Sequence, residues 1–90
     1  MKEYLPIGSV VTLKNTKKRI MIVGRLQNLI HQDEVYDYAA VLYPEGLIDS
    51  EHFYLFNQED IDCLFYIGLQ DNEEFNFRYT LLEKSKELKK

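Results

Sequence analysis

The chain has 90 residues, 46% of them apolar and 13% aromatic, with a formal net charge of −4. That length accommodates one hydrophobic core, because a half-sized unit rarely buries enough surface without disulfides or metals. The single cysteine, Cys63, excludes an internal disulfide and a cysteine-built zinc cage, and the acidic balance is the wrong sign for attraction to phosphate backbones or anionic lipid.

The segment Met1 to Leu13 is broken by Glu3, Pro6 and Gly8, so no export signal is expected there. Pro6 and Gly8 precede a first strand over residues 9–14, in which Val11 and Leu13 share one face and Val10 and Thr12 the other. The polar stretch from Asn15 to Lys18 then reads as the turn of a hairpin into a second strand over 19–27. Ile20, Ile22 and Leu26 share a face there with Gly24, whose place inside a strand marks a bulge, a bend or a close backbone approach.

A mainly polar connection from Asn28 to Glu34 leads to a third strand over 35–43, and Pro44-Glu45-Gly46 then reverses the chain. Residues 47–56 read as a fourth strand, with a helical turn capped by Ser50 as the alternative over 49–56. Asn57 ahead of Glu59 and Asp60 suits one helical turn. A fifth strand over 62–69 carries Cys63, Phe65, Ile67 and Leu69 on one face and Leu64 and Tyr66 on the other, the pattern of a strand buried on both sides.

From Asp71 the pattern changes. Asp71 followed by Glu74 resembles a capping box, and a helix over 72–88 should follow. Phe75, Tyr79 and Leu82 recur at helical spacing as its inner stripe, with Lys84, Lys86, Lys89 and Lys90 near the end that favours cations. No internal apolar run approaches the roughly 20 residues needed to cross a bilayer. These elements make one domain over residues 1–90, mainly β (α+β). The expected fold is a small five-stranded antiparallel, SH3-like, partly open barrel with a C-terminal helix, because curling is how short strands hide their edges.

The chemistry-bearing residues do not assemble into a familiar site. Cys63 lies in an apolar strand and reads as a small buried thiol. His31 and His52 lack the spacing of common zinc sites, and Glu51, Glu59, Asp60 and Asp62 lack the alternation and central glycine of a calcium loop. Neither a catalytic residue, a cofactor nor a metal is expected. Lys14, Lys17, Lys18, Arg19 and Arg25 make the first hairpin basic, which keeps RNA binding as a minor reading. The aromatics carry more weight. Tyr36, Tyr38, Tyr43, Tyr54 and Phe56, together with Glu45, are the expected partner-binding residues, since tyrosine is enriched where a surface is buried only in a complex.

The runs Leu5-Pro6-Ile7-Gly8-Ser9-Val10-Val11, Met21-Ile22-Val23-Gly24-Arg25, Tyr36-Asp37-Tyr38, Leu42-Tyr43-Pro44-Glu45-Gly46 and Leu55-Phe56-Asn57-Gln58-Glu59-Asp60-Ile61 resemble, in that order, the family numbered 4176 among the domains of unknown function. The resemblance runs from about Leu5 to Gln70. Members occur in Gram-positive bacteria, often encoded near LXG toxins and other components of the type VII secretion system. The resemblance implies a cytoplasmic accessory protein without catalysis, an adaptor or chaperone for such a toxin. An immunity protein is the alternative, and an unpaired sheet edge also leaves room for a homodimer.

Overall fold

The computed structural model describes residues 4–28 and 33–89; His31 and most of the connection before the third strand lie outside them. Five strands form along the chain: β1 (Val10–Leu13), β2 (Ile20–Asn28), β3 (Val35–Leu42), β4 (Tyr54–Phe56) and β5 (Ile61–Tyr66). A one-turn 3-10 helix, Gln58–Asp60, joins β4 to β5, and the helix α1 spans Asn72–Leu88. Among the described residues no helix is long and apolar enough to cross a membrane.

All pairings are antiparallel, in the order β4-β3-β2-β1-β5, and the sheet does not close. β2 and β3 form the long central ladder, from Ile20 opposite Leu42 to Asn28 opposite Val35, with a register shift between Ile22 and Gly24. A bulge there bends the ladder. Val11, Ile20, Ile22, Tyr38, Ala40 and Phe56 point into one core, joined by Tyr4 from before β1 and Leu81 from α1. The helix therefore covers the inner side of an incompletely closed sheet.

The turns follow local chemistry. The Tyr43-Pro44 bond is cis, and Gly46 takes φ +82 while its amide donates to Leu42 O at 2.7 Å. Asp60 Oδ2 accepts from Asn57 N at 2.9 Å, and Asp60 N donates to Asn57 O, closing the 3-10 turn. Gly68 is required by close approach: a Cβ there would lie 2.0 Å from Ile7 O.

Four expectations need correction. Residues 47–53 are not strand. Asp49 interrupts them, because its carboxylate accepts from Glu51 N at 2.8 Å and meets His52 Nδ1 at 2.7 Å, and such local bonds compete with a ladder. Asp49 thus fills the role read for Ser50. The fifth strand ends at Tyr66, lies at the sheet edge and is exposed on both faces from Asp62 onward. Cys63 is accordingly an exposed thiol.

The helix stripe is also rotated. Arg78 and Leu81 are its buried residues, with Glu74, Leu82 and Ser85 partly covered, whereas Phe75 and Tyr79 are exposed. Asp71 caps Glu74 N at 2.9 Å, but the Glu74 carboxylate is drawn to arginines and does not return to the cap.

Candidate partner-binding surface

Charged groups lie inside at the junction of α1 with the sheet. Arg25 on β2 grips Glu74 with both terminal nitrogens, Nη1 to Oε2 at 2.6 Å and Nη2 to Oε1 at 2.8 Å. Arg78, one turn along α1, donates Nε and Nη2 to the same Glu74 Oε2 at 3.1 and 3.0 Å, and Nη2 also reaches Gln70 Oε1. A carboxylate held in this fork geometry satisfies two guanidinium groups at once. Burial pushes the Glu74 pKa up, but hydrogen bonds from Arg25 and Arg78 outweigh that and hold the carboxyl below its usual value. Arg25 and Arg78 also lie over the rings of Phe77 and Phe75, at 5.2 and 5.3 Å from the centroids.

At the far end of α1, Lys89 Nζ donates to Asp37 Oδ1 at 2.9 Å and to Asn57 Oδ1 at 2.7 Å. Asp37 is fully buried, and its carboxylate also accepts from Tyr4 Oη and from Gln58 N. Its amide donates to Asn57 Oδ1 at 3.0 Å. Next to it, the Tyr38 hydroxyl donates to Gln58 Oε1 and accepts from Leu5 N at 2.9 Å. Burial pushes the Tyr38 phenol up to about 12. These groups use their polar atoms to join β3, the 3-10 turn and α1.

The opposite arrangement holds along β5. Leu64, Phe65, Tyr66, Ile67 and Leu69 are all exposed, Tyr66 at 63% and Leu69 at 76%. Val10 pairs with Tyr66, and paired residues share a sheet face, so Tyr66 stands on the outer side. There Phe65 and Tyr66 line a groove of about 400 Å³ with Gly8, Val10, Met21 and Tyr43, and the Arg19 guanidinium lies 4.5 Å above the Phe65 ring centroid. A second groove, about 420 Å³, continues past the end of β5, with Ile7, Leu69 and Phe77 as apolar walls and Asp71, Glu73 and Glu74 among its lining. Ile7 lines the second groove and its neighbour Gly8 the first. Half-exposed aromatic rings offer roughly 100 Å² apiece, and an apolar patch of several hundred Å² on a small domain marks an interaction site.

The expected partner-binding residues divide. Tyr43 lines the first groove, Tyr54 is exposed at the far sheet edge, Tyr36 is half-buried, and Glu45 is exposed and bound by Lys18 at 2.7 Å. Tyr38 and Phe56 belong to the core and present no surface, because both point inward from paired positions on β3 and β4. Arg25 likewise leaves the expected basic hairpin patch for its ion pair with Glu74. His52 pairs with Asp49, and among the described residues no three His, Cys, Asp or Glu side chains converge as a metal site requires. Sequence reading missed Ile7, Phe65, Leu69 and Phe77. An apolar run without alternation signals burial, and only the sheet order reveals that β5 has one neighbour.

Fold and surface together define a small, open β domain braced by a C-terminal helix, with one long apolar edge. Residues 4–77 match the family model described as Domain of unknown function (DUF4176), and the chain belongs to that family. No curated protein and no solved structure matches the chain. The family's recognisable runs have structural duties here: Tyr43-Pro44-Glu45-Gly46 makes the turn after β3, Asp37 anchors the 3-10 turn, and Asn57 with Asp60 closes it.

Proposed function

We propose that this domain is a non-enzymatic, cytoplasmic protein-binding module, an adaptor or chaperone that holds a type VII secreted LXG toxin, or a protein that targets it, before export. The observation that carries the reading is the exposed apolar strand β5 with its adjoining grooves, on a domain whose buried polar groups are engaged in holding the fold. Such a surface is stabilised when a partner covers it. The test is coexpression with the neighbouring LXG toxin followed by size-exclusion chromatography. Coelution as one complex is the expected result, and separate elution of two stable proteins overturns the reading. An immunity role differs in its readout: it would rescue cells from the toxic domain, whereas an export adaptor changes secretion and leaves survival unaltered.

A further inference from the structure

We propose that β5 receives an extended segment of its partner as a sixth, antiparallel strand, and that this segment is apolar in the middle with a lysine or arginine on either side. This deepens the protein-binding reading and rests on it. The backbone supplies the first argument. β5 is six residues long and, among the described residues, pairs only with β1, whereas the other edge, β4, has three residues. An added strand gains affinity from main-chain hydrogen bonds and specificity from pockets that take alternate side chains, so the longer edge is the better template.

The grooves supply those pockets. The outer-face groove of Val10, Met21, Tyr43, Phe65 and Tyr66 runs from β5 inward over β1 to β2, so an added strand meets it at the rim formed by Phe65 and Tyr66, where apolar side chains pack. Charge decides the flanks. Glu59, Asp60 and Asp62 are exposed at the start of β5, and Asp71 and Glu73 are exposed beyond its end. The nearby cations are Lys14 after β1, Arg19 over Phe65, and Arg25 over Phe77, whose charge is met by Glu74 and leaves Asp71 and Glu73 to an incoming cation. In the groove of Ile7, Leu69 and Phe77, an incoming Lys or Arg lays its aliphatic stem on the apolar walls and its charge against Asp71 and Glu73. Antiparallel addition places the residue before the apolar segment in that groove and the residue after it beside Asp60 and Asp62.

The same charges disfavour a second copy of this chain. Antiparallel self-pairing centred on Phe65 sets Glu59 of one copy opposite Asp71 of the other, acid toward acid. Repulsion of this kind selects against wrong partners.

The probe is a synthetic peptide of alternating valine and threonine with paired lysines at both ends, compared with its glutamate-ended counterpart by fluorescence anisotropy on the full chain. The lysine-ended peptide should bind at least about tenfold more tightly, with the difference shrinking as salt rises. Amide exchange should slow within Ile61–Tyr66. Asp62→Lys should reduce the preference between the peptides while its thermal melt stays unchanged. Equal affinities, no binding of either peptide, or slowed exchange confined to other segments would overturn the inference. So would a dimer by light scattering that Phe65→Lys splits. If the toxin coelutes with the domain while the peptide results are negative, edge addition falls and the adaptor reading stands; if the toxin does not coelute, that reading itself falls.

Discussion

The junction of α1 with the sheet and the free edge β5 invert the usual distribution of side chains in opposite directions. At the junction, Asp37, Arg25, Glu74 and Arg78 are withdrawn from water, while along β5 the leucines and aromatics face it. A buried charge is tolerated when each of its atoms has a partner, and Asp37 is held by Lys89, Tyr4 and Gln58. An exposed apolar strand has no comparable internal remedy. The first region is satisfied within the chain except at Arg25 Nε, which is buried without a hydrogen-bond partner, and the second leaves its apolar side chains uncovered.

That contrast can be broken most sharply at Asp37. Asp37→Ala removes an acceptor from the Lys89 ammonium, the Gln58 amide and the Tyr4 hydroxyl at once, and should destabilise the fold by about 4 kcal/mol in urea unfolding, the range for breaking a buried pair. Tyr38→Phe removes the acceptor of the Leu5 amide and the donor to Gln58, and should lower stability by about 2 kcal/mol with little change in shape.

The Glu74 network predicts an acid-side loss. Its folded carboxyl titrates below the usual 4.5, so well above that pH both states are ionised and the ion pairs contribute fully, while between the depressed folded value and 4.5 the unfolded chain binds more protons than the folded one. As pH falls below 4.5 and through the depressed value, Glu74 protonates and its contribution disappears. Unfolding midpoints measured between pH 6 and pH 3 should fall accordingly, and Glu74→Gln should flatten that part of the profile. At β5 the expectation reverses. Phe65→Lys loses the Arg19 contact and should lower stability by no more than about 1 kcal/mol, far less than Asp37→Ala, while weakening capture of the partner. A large loss of stability at Phe65, or none at Asp37, would erase the distinction between the two regions.

The elements were legible where periodicity is strong. β1, β2, β3 and α1 lie close to their expected spans, since alternation and a clear Asp71 cap are properties of neighbouring residues. Errors arose where a local pattern has two tertiary meanings. The run from Cys63 to Leu69 reads as a central strand yet forms an edge, and the 75, 79, 82 stripe reads as an inner face yet yields to the face bearing Glu74, Arg78 and Leu81.

Length, composition and hydrophobic pattern by themselves determined one mainly β domain, its turn after β3 and its terminal helix, because such features depend on side chains near one another in the chain. Only the tertiary structure decided that Tyr38 and Phe56 are core, that Arg25 faces inward, and that β5 is left bare. Those outcomes depend on which strand lies next to which and on how α1 is rotated against the sheet, and contacts between residues distant in sequence, such as Arg25 with Glu74 and Asp37 with Lys89, fix both.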